Sequence, residues 1–158
     1  KQAYMILKMN SLADEQLINK LYQASNVGVQ IKLIIRGMCC LIAGVKGYSE
    51  NIEVLSIVDK YLEHARVHVY CNGGNELIYL TSADFMTRNI DTRVEVGFPI
   101  YDEDLKKEIR DIINLQLDDN TKSREINANN TNKYHKTRSE LPHRAQIDIY
   151  DYLKYKVK

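Results

Sequence analysis

Residues 29–35, Val-Gln-Ile-Lys-Leu-Ile-Ile, form a nearly continuous β-branched and apolar run. A run of this kind fits a parallel strand covered on both faces, since a strand with one wet face alternates instead. Residues 3–9 read as an earlier buried strand. Between the two, Leu17, Ile18, Leu21 and Tyr22 recur at helical spacing. Ser11, three residues before Asp14, gives a capping-box-like start to that helix, and Gly28 ends it. Strand, helix and strand in this order imply a right-handed crossover and an α/β sheet.

The chain then passes through a glycine-punctuated loop, 37–47, with Arg36 at its mouth. A short strand is expected over 52–57 and a connecting turn over 58–62. Two further strands, 66–71 and 77–81, flank Asn72-Gly73-Gly74-Asn75, whose residue types supply the positive φ of a tight hairpin. Residues 93–100 alternate into another strand that Pro99 closes. Asp102 caps a helix with the apolar stripe Leu105, Ile109, Ile112 and Ile113.

After Asp119 the composition shifts to Asn, Thr, Lys and Arg with few apolar residues, so 120–142 reads as a flexible or partner-dependent segment. Residues 143–158 recover a weak amphipathic pattern through Ile147, Ile149, Tyr152 and Tyr155, which predicts a C-terminal helix on the same domain as 1–119. A length of 158 residues suits one such domain. The start at Lys1-Gln2-Ala3, without Met, is that expected of a piece of a longer protein.

Net charge is only +1, so bulk electrostatics favour neither nucleic acid nor a membrane as partner, and no apolar run reaches spanning length. Any polyanion must be held by local clusters of Arg and His. Cys39, Cys40 and Cys71 form no CxxC pair, which predicts reduced thiols used as small core residues in a cytoplasmic chain.

The chemistry is concentrated in His64-Ala65-Arg66-Val67-His68-Val69-Tyr70 and in Thr81-Ser82-Ala83-Asp84. On a strand, period-two alternation places His64, Arg66, His68 and Tyr70 on one face, with Val67, Val69 and Cys71 toward the core. Two imidazoles and a guanidinium on one face call for something anionic to neutralise them.

His-x-Arg, a Gly-Gly hairpin and small-Ser-x-Asp resemble the second signature of the phospholipase D superfamily, His-x-Lys, an Asp, then Gly-Ser-x-Asn. Arg66 stands for the lysine, Cys71 for the acidic residue, and Thr81 and Asp84 for the Gly and Asn. With these departures, five segments resemble the polyphosphate kinases: Leu-Lys-Met-Asn-Ser-Leu-Ala-Asp (7–14), Ile-Arg-Gly-Met-Cys-Cys-Leu (35–41), Leu-Glu-His-Ala-Arg (62–66), residues 80–93, and Arg-Ala-Gln-Ile-Asp-Ile-Tyr-Asp-Tyr (144–152).

The resemblance implies a phospholipase-D-like mixed sheet flanked by helices, with a C-terminal helix. It implies reversible transfer of the ATP terminal phosphoryl group to inorganic polyphosphate through a phosphohistidine in a companion half outside this chain. Without that half the chain is expected to be inactive. The family's ATP-binding residues carry over to Arg36 and His64, the latter as general acid or phosphate ligand. Arg66, Arg88, Asn89 and Arg93 are second-rank candidates for lining a polyphosphate channel, with Asp84, Asp91 and Glu95 as counter-charges. Mg²⁺ is expected to arrive with ATP on ligands in the companion half. Partners implied are ATP or ADP, polyphosphate, the remaining domains of the same polypeptide and further copies of the parent. The compartment implied is the cytoplasm or the periphery of the inner membrane. Two other readings are open at this point: a phospholipase-D-type phosphodiesterase or nuclease half-site, and a non-catalytic polyanion-binding or assembly module.

Overall fold

A computed structural model describes residues 2–156. The elements are β1 (Tyr4–Met9), α1 (Glu15–Asn26), β2 (Gln30–Ile35), β3 (Ile52–Ile57), β4 (Val67–Tyr70), β5 (Leu77–Thr81), β6 (Gly97–Ile100), α2 (Glu103–Leu117), β7 (Ser123–Glu125) and α3 (Ala145–Lys156). The strands form one mixed sheet in the order β6-β5-β4-β1-β2-β3-β7. β1, β2 and β3 run parallel, as the opening strand–helix–strand pattern requires. β4, β5, β6 and β7 join antiparallel.

Period two explains the two cores. Leu7, Met9, Ile31, Leu33 and Ile35 point to one face, where Ile18 and Leu21 of α1 cover them. Ile6 and Ile34 point to the other, with Val67, Val69 and Ile78, under Ile113 of α2 and Ala145 of α3. The central strands are therefore buried on both sides, which is what their unbroken apolar runs predict. The β4–β5 hairpin turns through Asn72, Gly73 and Gly74, all at positive φ.

Several expectations are corrected. The cap of α1 is Asp14, whose Oδ1 accepts from Leu17 N at 3.0 Å; Ser11 instead offers its carbonyl to Phe85 N. The strand expected over 93–100 is confined to Gly97–Ile100, because Glu95 is drawn out of line to bond Ser82 and Asn89. Pro99 lies within β6, which its position at the sheet edge permits. Ile109, Ile113 and Leu117 carry the core face of α2, whereas Leu105 is exposed, its turn reaching past the packed core. Cys71 is a core residue but Cys40 is exposed, so the thiols are not uniformly interior.

Within 120–142, the segment read as flexible or partner-dependent, Ser123–Glu125 form β7 on the free edge of β3. The cause is Asp119, fully buried after α2. Its Oδ1 accepts from Thr121 N, Lys122 N and Ser123 N at 2.9, 2.6 and 3.0 Å. Its Oδ2 accepts from Ala145 N at 2.8 Å, which ties the start of α3 to the same carboxylate. Arg124 stacks over Tyr134, its guanidinium 3.5 Å from the ring centroid. The C-terminal helix is present over Ala145–Lys156; residues 1, 157 and 158 of the expected ranges lie outside those described. Ile149 packs on the core and Tyr152 bonds Asp111 at 2.9 Å, while Ile147 and Tyr155 are exposed. Polar anchors, Arg144 on Asp59 among them, compensate for the weak apolar stripe.

Candidate active site

Strand register assembles the site. β1 and β2 are parallel with Met9 beside Ile35, so the next residues, Asn10 and Arg36, emerge together at the strands' carboxyl ends. This is where open α/β sheets place their ligands. Arg36 Nε donates to Asn10 Oδ1 at 2.6 Å. β4 runs antiparallel to β1 with Val67 opposite Lys8, which brings Arg66 to the same end. Gly37 makes the approach possible. Its N–H donates to Asn10 O at 2.8 Å, and a Cβ at this position would meet that oxygen at 2.8 Å.

Asp84, just past β5, is the hub. One oxygen, Oδ1, accepts from Asn10 N at 2.8 Å, Asn10 Nδ2 at 3.2 Å, Ser11 N at 3.4 Å and Arg66 Nε at 3.2 Å. The other accepts from Arg66 Nη2 at 3.0 Å and Asn10 Nδ2 at 3.3 Å. Burial alone would raise the Asp84 carboxyl. The Arg66 guanidinium and the Asn10 and Ser11 N–H groups more than offset that and hold it below its ordinary value. Asp84 is thus the anion that the cationic stretch 64–68 calls for.

The remaining Arg66 nitrogen, Nη1, lies 3.1 Å from His64 Nδ1 and 3.1 Å from His64 O. A guanidinium only donates, so Nδ1 presents its lone pair and the neutral ring carries its proton on Nε2. His64 itself is exposed. Arg36 and His64, far apart in sequence, are therefore joined through Asn10, Asp84 and Arg66. Among the described residues, neither the terminal nitrogens of Arg36 nor His64 Nε2 has a hydrogen-bond partner.

Beneath His64 the loop is held by Glu63. Its Oε2 accepts from Lys8 Nζ at 2.8 Å and Gln116 Nε2 at 2.7 Å, and its Oε1 accepts from Gln146 Nε2 at 3.0 Å. The Gln146 amide also accepts from Tyr61 N and donates to Tyr61 O, both at 2.8 Å. β1, α2 and α3 thereby fix the chain on the N-terminal side of His64.

Some sequence-derived expectations fall elsewhere. β4 begins at Val67, so His64 and Arg66 precede the strand and do not share its face; only His68 and Tyr70 do. Arg66 has all three nitrogens committed and its side chain is 12% exposed, which places it under the site and not along a channel. Asn89 is buried in the π-helical turn Arg88–Thr92, donating to Glu95 Oε1 at 2.6 Å. Arg88 and Arg93 are exposed, Arg93 pairing loosely with Glu95 at 3.7 Å. His68 packs edge-on against Phe85, and burial pushes its pKa down to about 4. Lys8, Asn10 and Ser11, the polar end of the first strand, read from sequence either as structure or as site lining, and Asn10 proves to join the site, whereas Glu63 was not singled out. Adjacent parallel strand ends were the available signal for Asn10; nothing local marked Glu63.

Comparison with known proteins follows the same lines. The model of the polyphosphate kinase C-terminal domain 2 matches residues 1–146. A polyphosphate kinase of Vibrio cholerae is 53% identical over 154 residues, 98% of this chain and 22% of that protein. The chain belongs to the polyphosphate kinase family. The crystal structure of polyphosphate kinase from Porphyromonas gingivalis superposes with a TM-score of 0.95 at 47% identity, covering 99% of this chain and 24% of that one. Nuc from Salmonella typhimurium, a phospholipase D family member, superposes with a TM-score of 0.60 at 15% identity, over 80% of this chain and 84% of its own. The fold is thus the phospholipase-D-like mixed sheet. The chain spans about a fifth of the length of the curated relatives it matches.

Two of the four departures from the phospholipase D signature are coupled in the structure. Arg66 replaces the lysine and Asp84 the asparagine, and the pair neutralise each other in the structure. The same pairing leaves Asp84 with no oxygen to spare for a metal ion, and among the described residues no cluster of three His, Cys, Asp or Glu suits one.

Proposed function

We propose that this chain supplies one half of a phosphoryl-transfer site that moves the terminal phosphoryl group of ATP to inorganic polyphosphate and back. The half is built around Arg36 and His64. What supports the reading is that both present uncommitted hydrogen-bonding nitrogens from a single scaffold whose other charges are already paired. Phosphoryl transfer asks mainly for positioning and for neutralising charge on the transferring oxygens. The Arg36 guanidinium, fixed by Asn10 through Nε, leaves its planar fork for two phosphate oxygens, which a lysine cannot grip in the same way.

His64 Nε2–H donates to the phosphate in this reading; acting as general acid instead requires the imidazolium, whose Nδ1–H must first turn away from Arg66 Nη1. The nucleophile is a histidine of a companion segment outside these 158 residues. It takes the phosphoryl group as ADP leaves, then yields it to the terminal phosphate of the polymer and is restored. Mg²⁺ enters with the nucleotide on ligands that this chain does not provide. Arg88 and Arg93, exposed beside the site, lie on the path of the polyanion, while Arg66 and Asn89 act as structural supports. The chain alone is inactive, and its parent acts as an assembly of further domains and copies in the cytoplasm or at the inner-membrane periphery.

The test is calorimetric titration of the chain with long-chain polyphosphate, beside Arg36→Ala and beside a DNA oligonucleotide at equal phosphate concentration. Losing the charge-assisted bonds of Arg36 costs about 1.5–3 kcal/mol, roughly ten- to a hundredfold in affinity. Weakening of that order, with little DNA binding, is the expected result. Equal binding of both polymers, or an Arg36→Ala variant that binds polyphosphate normally, removes Arg36 from the site.

A further inference from the structure

The outer edge of the sheet beyond β3 carries a second concentration of positive charge. β7 sets Arg124 opposite Ser56, and Tyr134 bridges Arg124 from the far side. Residues opposite each other on neighbouring strands share a face, so these three side chains stand in a row. With Val58, Lys122 and Asn132 they line a hollow of about 410 Å³. Among the described residues, those lining it include an arginine and a lysine but no acid. Asp59 lies within Coulombic reach of Lys122, yet both its oxygens bond Arg144, at 2.7 and 2.8 Å. Glu125 turns to His135, 3.3 Å away, and lines a different hollow.

Arg124 is held in a fixed pose. Its guanidinium lies over the Tyr134 ring, 3.5 Å from the centroid, and Nη1 donates to Asn132 O at 2.8 Å. The stack sets the plane of the group and the hydrogen bond sets its rotation in that plane. Little freedom is then lost when two oxygens meet the opposite edge, Nε and Nη2. Lys122, with its Cα roughly 6–7 Å along the chain, adds a point charge beside this fork. A fixed guanidinium and a neighbouring ammonium in a hollow without acids suit consecutive phosphate groups. Nucleic acid suits it less, because the ring on which a base would stack is covered by Arg124.

We propose that this hollow is a second subsite for inorganic polyphosphate, holding a stretch of the polymer against Arg124 and Lys122. The choice of polymer rests on the phosphoryl-transfer reading, which the subsite deepens. Ser123, next to Lys122, pairs with Ile57 at the end of β3, and β3 adjoins β2. The hollow therefore lies two strand spacings, roughly 10 Å, from the strand end that carries Arg36. A long polymer reaches both places and gains from the raised effective concentration at the second, whereas an orthophosphate ion fills one.

The experiment is a ¹H–¹⁵N NMR titration of the 158-residue chain, and of its Arg36→Ala variant, with tripolyphosphate. Orthophosphate and a DNA oligonucleotide at equal phosphate concentration are the comparisons. Saturable shifts are expected from tripolyphosphate at the Lys122, Arg124 and Tyr134 backbone amides, and they should persist in Arg36→Ala. Orthophosphate and DNA should shift the same amides with at least about tenfold weaker affinity. Arg124→Gln should weaken tripolyphosphate there about tenfold or more, and Lys122→Gln about fivefold. Lys122→Gln keeps the backbone bond to Asp119 and decides the matter if Arg124→Gln disturbs β7. Absence of saturable shifts at these amides overturns the proposal, as does orthophosphate or DNA binding there as tightly, or indifference to a folded variant. Shifts confined to Gly37 and its neighbours overturn this subsite and leave Arg36 in place. Shifts at 122–124 with none at Gly37 uphold the subsite and remove Arg36.

Discussion

Replacing Asp84 with Asn keeps the shape of the hub and removes its charge. Arg66 then loses the carboxylate it is paired with while its side chain is 12% exposed and that of Asp84 9%. Removing one partner of a buried pair typically costs about 3–5 kcal/mol, and since Asn retains an oxygen for Asn10 N, about 3 kcal/mol is expected. For a domain of this size that is a fall of roughly 6–12 °C in Tm. The assay is urea unfolding at neutral pH of the wild type, Asp84→Asn, Arg66→Met and the double variant. Once the guanidinium is gone, the loss of the carboxylate should matter less, giving a coupling of at least about 1.5 kcal/mol. The acid limb adds a second check. The Asp84 carboxyl is held below its ordinary value, so its contribution is present above about pH 3.9 and disappears as pH falls through the lower folded-state value. Asp84→Asn should lack that limb. A coupling within about 0.5 kcal/mol of zero would refute the hub, because independent sites add to within that margin.

Asp119→Ala strips the acceptor from four backbone N–H groups and should cost about 3 kcal/mol or more, with faster amide exchange at 121–123 and 145; a loss below about 1 kcal/mol would count against it. His68 should titrate near pH 4 by NMR. The unfolded chain then binds more protons between about pH 6.5 and 4, so stability falls by about 3 kcal/mol as pH drops through that window. A His68 midpoint near 6.5 would show that the ring is not buried as described. Gly37→Ala drives a Cβ against Asn10 O and should destabilise by about 1–3 kcal/mol while weakening polyphosphate binding through Arg36. Unchanged stability and affinity together would mean that the two strand ends can part without consequence.

The local signals in this sequence were those whose physics is local. The apolar run of residues 29–35, the Asn-Gly-Gly-Asn turn and the Asp102 cap each depend on a few neighbouring residues, and each appears where those residues place it. Arg36 and His64 were marked by the resemblance of Ile-Arg-Gly-Met-Cys-Cys and Leu-Glu-His to polyphosphate kinase segments, and Arg36 also by its place at the carboxyl end of a buried strand. What sequence could not provide was the pairing between distant segments. Whether Arg66 lines a surface or lies under it depends on Asp84, eighteen positions on in the chain, and on Asn10 from β1. Composition, poor in apolar residues there, read 120–142 as a flexible or partner-dependent segment. The strand β7 arises there because one buried carboxylate, Asp119, gathers backbone N–H groups and delivers them to an unpaired sheet edge. The role of Glu63 rests on Lys8, Gln116 and Gln146, which only the packing of β1, α2 and α3 brings within hydrogen-bond reach. Backbone preference and hydrophobic period are written residue by residue, so the sequence determined the elements and the chemical types at the site. Hydrogen bonds between buried charges require both partners at about 3 Å, and only the tertiary structure decides which partners meet.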